Sequence, residues 1–208
     1  MKPAPHDPFD HIHQDDVTGA STARILEGLT DSELLDAAGR LLSIPRSGTA
    51  TSFTLHAPLE LMARARLLRL VSAPRREAAR HRIAQIAAAW SASDEPAQVG
   101  DDVEPEGPPL HVLVEAVRDG DPETADRAFV ALCAHRDQDQ IVDDLVDVML
   151  PRLGGAAHGA IFLELLPQFR PAGVNPALMA RTLLRDIARH PDWRLRWFER
   201  ARPERTYG

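Results

Sequence analysis

The chain has 208 residues, of which 44% are apolar and 26% charged, the proportions of a soluble globular protein with room for one sizeable core. A net charge of −7 argues against general nucleic-acid binding, which needs a basic footprint, and no apolar run approaches the roughly 20 residues that span a bilayer. Cys133 is the only cysteine, so an internal disulfide is excluded, and a reducing, cytoplasmic setting is the expectation.

Residues 1–18 are rich in Pro, His and Asp and read as an irregular tail, with His6, His11 and His13 among Asp7, Asp10, Asp15 and Asp16. The tail has no apolar h-region, so it is not expected to be a secretory signal. Residues 19–208 are expected to form a single helical domain. A short helix over about 21–28 precedes a better marked one. Thr30-Asp31-Ser32-Glu33 is a capping box, and Leu34, Leu35, Ala38, Leu41 and Leu42 follow at helical spacing. Pro45 and Gly48 end it, and Thr49 to Thr54 read as a polar, β-branched connection.

A helix is expected from near His56 to about Val71, with Pro58 tolerable only in its first turn. Another runs from Pro74 to about Trp90. Residues 91–109 are acidic and punctuated by Pro96, Gly100, Pro105, Gly107, Pro108 and Pro109, which marks a linker between two helical halves or a loop over the core. The second half gives helices over about 111–118 and 122–134, the latter with Asp121 as N-cap and Pro122 at its first position. Further helices are expected over about 138–151, from His158 to near Phe169, over 176–190, and from Pro191-Asp192 through Glu199. Nothing alternates with period two. The fold class is all-α, an array of antiparallel helix pairs. The spacings of 55 residues from His56 to His111 and 47 from His111 to His158 come near the two-helix unit of HEAT-like repeats.

Those three histidines are the pattern that suggests chemistry. Each stands among aliphatic residues near a helix start: Leu55-His56-Ala57-Pro58-Leu59-Glu60, Leu110-His111-Val112-Leu113-Val114-Glu115 and Ala157-His158-Gly159-Ala160-Ile161-Phe162. A glutamate four residues after a histidine shares its helix face, so His56/Glu60 and His111/Glu115 could each present nitrogen and oxygen ligands suited to iron, manganese or zinc. The positive end of the helix dipole also keeps an imidazole neutral, which metal ligation requires. The candidate catalytic residues are therefore His56, His111 and His158, expected to converge on an interior pocket, and the candidate metal ligands are His56, Glu60, His111, Glu115 and His158. The plainer alternative is that these histidines cap helices or fill the core. The chain lacks paired Glu-x-x-His motifs, a His-Glu-x-x-His motif, a glycine-rich phosphate loop and a nucleophile elbow.

Lesser candidates have structural readings. His81 and His135 fall on polar faces, and His190 suits a helix C-terminus. The arginines at 64, 66, 69, 75, 76, 80 and 82 could bind a phosphate-bearing cofactor or an acidic partner, but more simply form a solvated face. Trp193 and Trp197 lie one turn apart and are expected to pack the last helix onto the core, and Cys133 reads as a small core residue.

The three histidine segments, together with Asp119-Gly120-Asp121-Pro122-Glu123-Thr124-Ala125-Asp126, resemble the questin oxidase-like proteins, over scattered short motifs within about residues 50–200. The chain is far shorter than the fungal members of that family. The resemblance matches positions His56, His111 and His158. It implies a helical fold and an oxygen-dependent, monooxygenase-like oxidation of an aromatic or polyketide-like substrate, with a reduced nicotinamide as electron donor. A non-catalytic helical-repeat interaction module is the alternative, and a regulatory protein docking an acidic partner on its arginine face is a third.

Overall fold

The computed structural model describes residues 26–97, 106–152 and 157–195. Within them lie eight α-helices: α1 Asp31–Leu42, α2 Ser52–Leu68, α3 Ala73–Ser91, α4 Pro109–Asp119, α5 Pro122–His135, α6 Gln138–Met149, α7 His158–Leu165 and α8 Arg181–Arg189. Short 3-10 turns cover Leu150–Arg152, Leu166–Gln168, Pro176–Ala180 and Pro191–Trp193. The all-α expectation holds among the described residues, where the only β feature is an isolated Arg46–Pro96 bridge.

Local sequence sets several helix starts as expected. Thr30 and Glu33 close a full capping box on α1, and the Asp121 side chain accepts from the Thr124 backbone to start α5. α2 departs from expectation. It begins at Ser52, not near His56, because Thr51 and Thr54 cap each other's backbone in a reciprocal box within the segment read as a connection. His56 therefore sits in the second turn, and Pro58 lies inside the helix rather than in its first turn. Buried Pro58 is tolerated as part of the core-facing stripe that includes Ala57, Leu59, Leu61 and Met62.

The C-terminal expectations also shift. Asn175 caps a 3-10 turn at Pro176–Ala180, and α-helical structure starts only at Arg181. Pro191–Trp193 is again a 3-10 turn, and Arg194 is extended with ψ 125°, so the expected helix does not start there. Residues 196–199, Trp197, the tail at 1–18 and most of the helix expected at 21–28 lie outside the described residues. So do residues 98–105 of the acidic linker. Its first part is anchored: Ser47 donates to the Glu95 carbonyl at 2.9 Å and Ala97 to the Pro45 carbonyl at 2.8 Å.

A single buried cluster takes residues from both sides of that linker, with Trp90, Phe129 and Phe162 its largest members. α4 packs on its sequence neighbour α5, and α1 packs on α3 across the intervening α2. Other contacts are non-local: α8 packs on α5, α4 and α2, and α7 on α2. A solenoid repeat touches only its sequence neighbours, so this is a closed helical globule around α8 rather than a linear array. Two side-chain networks brace it. Arg76 and Arg80 reach across to Asp31, and Arg64 and Arg82 converge on Glu60. Much of the arginine cluster thus ties α3 to α1 and α2. No described helix is long and apolar enough to cross a membrane.

Candidate functional site

The packing of α7 against α2 brings two of the three singled-out histidines together. His56 Nε2 and His158 Nε2 are 3.3 Å apart, and the rings meet edge to face with centroids 4.8 Å apart at 79°. His56 is fixed from behind by its own helix: its Nδ1 lies 2.6 Å from the Ser52 carbonyl oxygen. A carbonyl can only accept, so Nδ1 carries the proton and Nε2 presents its lone pair toward His158. His158 opens α7, and the next residue has to be small. A Cβ on Gly159 would stand 3.1 Å from Met149 Cβ, so the glycine lets α7 seat closely on α6. One turn further, fully buried Phe162 anchors the helix in the core.

The pair lies at the surface, with His56 exposed, and the electrostatics favour a neutral His158. Burial pushes the His158 imidazolium below its ordinary value, the His56 charge adds to that, and the Asp186 carboxylate opposes both. Asp186 is itself 3% exposed, and burial raises its carboxyl, with His190, Arg189 and His158 pulling the other way. His190 completes the backing layer. Its Nδ1 donates to the Asp186 carbonyl at 2.8 Å, and its ring stacks on Trp193 at 4.2 Å between centroids.

The folded state therefore binds protons at His158 less readily than the unfolded chain, and the sign of the pH effect follows. The contribution of His158 is complete above its ordinary value of 6.5 and is lost as pH falls below it, until the folded protein protonates as well. Denaturation midpoints at pH 7.5 and 5.5 should separate more for the wild type than for His158→Gln. In NMR titrations His56→Ala should move the His158 transition up and Asp186→Asn should move it down; movement in the opposite senses would contradict the assignment.

The other candidates are placed elsewhere. His111 is exposed on the first turn of α4 and is not part of the pair. Glu60 is held by Arg82 and Arg64. Burial alone would raise its carboxyl, but the two guanidiniums keep it below the usual range. Glu115 pairs with Arg118 at 2.7 Å. Among the described residues no three His, Cys, Asp or Glu side chains are grouped to hold a metal, so the five expected ligands do not assemble into one set. The reason is local: sharing a face with histidine also put each glutamate within reach of an arginine one turn on, Arg64 or Arg118.

Asp186 was not singled out by sequence. Its signal is faint, an acid between Leu184 and Ile187 in a helix whose residues 182–188 are all buried. Cys133 is a buried thiol pushed up to about 12 by burial, hence an inert core residue.

Two exposed apolar side chains lie one turn from the pair in sequence, and Phe53 also meets the Trp90 ring at 6.4 Å between centroids. Phe53 precedes His56 by three residues and Ile161 follows His158 by three, so each shares its histidine's helix face. Both remain exposed, at 36% and 45%. No protein-family model matches the chain, and neither does a curated protein or a solved structure.

Proposed function

We propose that this protein is a small oxidoreductase whose reacting centre is the His56–His158 pair, acting on an apolar, ring-bearing substrate laid against Phe53 and Ile161. The observation that supports it is the 3.3 Å approach of two Nε2 atoms, one of which must present a lone pair. Two neutral imidazoles in that arrangement share either one proton or one cation. Zinc-to-nitrogen bonds of about 2.0–2.1 Å put neighbouring tetrahedral ligands roughly 3.3–3.4 Å apart, so the pair fits one edge of a transition-metal site. His56 and His158 would hold the ion, and the Ser52 carbonyl would fix the His56 tautomer as partner groups do in metal sites. When bound, iron or manganese would supply Lewis acidity and redox turnover. The protein's own contribution is to favour a neutral His158, to hold the two rings at fixed spacing and to offer Phe53 and Ile161 as an apolar surface. The resemblance to questin oxidase-like proteins points to the same reaction class.

Cobalt(II) or zinc titration of the purified protein is the test. Binding of one equivalent is expected, weakened at least about 100-fold by His56→Ala or His158→Ala, since losing a ligand should exceed the 10–100-fold cost of losing its supporting partner. His111→Ala should leave it unchanged. Dioxygen uptake with a hydroxyanthraquinone and a reduced nicotinamide should be lost in the same two variants. No binding, or equal sensitivity to His111, contradicts the proposal. The interaction-module reading draws on Leu67 and Leu70, exposed at 55% and 75% by the end of α2. It would gain if the histidine variants bound metal like the wild type.

A further inference from the structure

A second site, independent of the histidine pair, lies where the α1–α2 connection meets α8. Arg46, Thr49, Thr54, Thr182, Arg185 and Arg189 line a small, partly open cleft. Thr182, Arg185 and Arg189 stand at positions i, i+3 and i+7 of α8, one stripe of the helix. Arg46 comes from the connection, 136 residues or more away in sequence.

The donors in this cleft are underused. Arg46, Thr182 and Arg185 are 6%, 8% and 6% exposed, yet Arg46 Nε, Thr182 Oγ1 and Arg185 Nε have no hydrogen-bond partner within the described structure. Leaving a buried donor unmade costs about 1–3 kcal/mol, more for a charged group, so three beside one cleft is an expensive arrangement unless something accepts from them. Part of each guanidinium is already engaged. Arg185 gives one N–H of Nη1 to Asp126 and one of Nη2 to Glu123, and Arg46 gives one N–H of Nη1 to the Asp94 carbonyl while lying over the Trp90 ring. The buried donors left without a partner are the Nε–H of each arginine and the Thr182 hydroxyl, with half-buried Arg189 beside them.

The opposing charges are Asp126, shared between Arg181 and Arg185, Glu123 on Arg185, and Asp94 and Glu95 near Arg46, with Asp94 beside Gly48 at the mouth. The buried groups left without a partner are nonetheless all donors. A cation cannot accept from them, and an apolar group would bury them unmade. A compact oxyanion answers all of them, because its oxygens can each accept from several directions.

We propose that this cleft binds one small oxyanion, the phosphate or carboxylate group of a small molecule, through Arg46 Nε, Arg185 Nε, Thr182 Oγ1 and the Arg189 guanidinium. The test is a titration of the wild-type chain with sodium phosphate and, separately, sodium acetate at constant ionic strength set by chloride. It is followed by the Arg185 and Arg46 Nε–H resonances and by the thermal midpoint. Saturable shifts of both resonances with phosphate alone assign a phosphate site, and with acetate as well or alone a carboxylate site. Thr182→Val, which removes only the hydroxyl at similar volume, should weaken binding about tenfold, the effect of losing one hydrogen bond. Arg189→Gln, on the half-buried end of the stripe, should weaken it more while leaving the unliganded fold intact by circular dichroism. Equal, unsaturable responses to phosphate, acetate and chloride, or binding unchanged in both variants, overturns the proposal. Metal binding at His56 and His158 should be unaffected by either variant, which keeps the two sites separable.

Discussion

Asp126→Ala is expected to cost about 3–5 kcal/mol of folding stability, enough to unfold much of a marginally stable domain. Asp126 is fully buried on α5 and takes Arg181 at 2.7 Å and Arg185 at 3.2 Å, both from the central helix α8. Removing the carboxylate leaves two guanidiniums facing a cavity. Arg185 keeps Glu123, but Arg181 keeps only the Ser43 carbonyl at 3.3 Å. The loss comes from stranding charge rather than from the net worth of the pair, so replacing both members should cost less than replacing one. Asp126→Leu with Arg181→Met should therefore recover part of the stability lost in Asp126→Ala, as measured by urea denaturation. A double variant that sums the two single losses would show that the ion pairs are not coupled in this way.

Phe162→Ala should cost a comparable 3–5 kcal/mol and should also dismantle the histidine pair. Phe162 is 1% exposed and is one of only two fully buried positions on the short helix α7, the other being Gly159. An eight-residue helix has little stability of its own, so its position depends on packing. Without the ring, α7 keeps only the partly buried Leu163 and Leu165 to hold His158 against His56. Phe162→Leu keeps much of the volume and should cost less than half as much while retaining the pair. The readout that separates site from stability is the His158 imidazole resonance. In the alanine variant it should move toward that of an ordinary exposed histidine under conditions where far-ultraviolet dichroism still reports a folded protein. A full loss of stability with an unchanged His158 signal would mean that something other than Phe162 positions α7.

The helical class was legible because apolar periodicity and capping residues act locally: Thr30 with Glu33, Asp121 with Pro122, and Asn175 all mark starts that the structure uses. The start of α2 was not, because Thr51 and Thr54 cap with two threonines where the familiar pattern has an acid or amide in the third position. The recurrence of histidine drew attention to His56 and His158, which the fold brings together. It could not reveal that His111 faces solvent, since that depends on how α4 is rotated against α5. The glutamates are engaged instead by Arg64 and Arg118, which lie within a turn of them. Asp186 and the oxyanion cleft were beyond reach. Both depend on α8 being drawn into the middle of the molecule, a tertiary event that no local pattern announces. The same packing gives α8 contacts with α2, α4 and α5, beyond the sequence-neighbour contacts of a linear repeat, so the HEAT-like arrangement is not confirmed.

Histidine-selective 15N NMR of the wild type, before and after one equivalent of zinc, tests the proposed centre most directly. Before zinc, His56 should show a protonated Nδ1 and an unprotonated Nε2, as its bond to the Ser52 carbonyl requires. On zinc addition the Nε2 resonances of His56 and His158 should shift together at one stoichiometry, with His111 unmoved. A His56 ring protonated at Nε2, or zinc shifts that appear at His111 or at only one member of the pair, would contradict a shared two-nitrogen site.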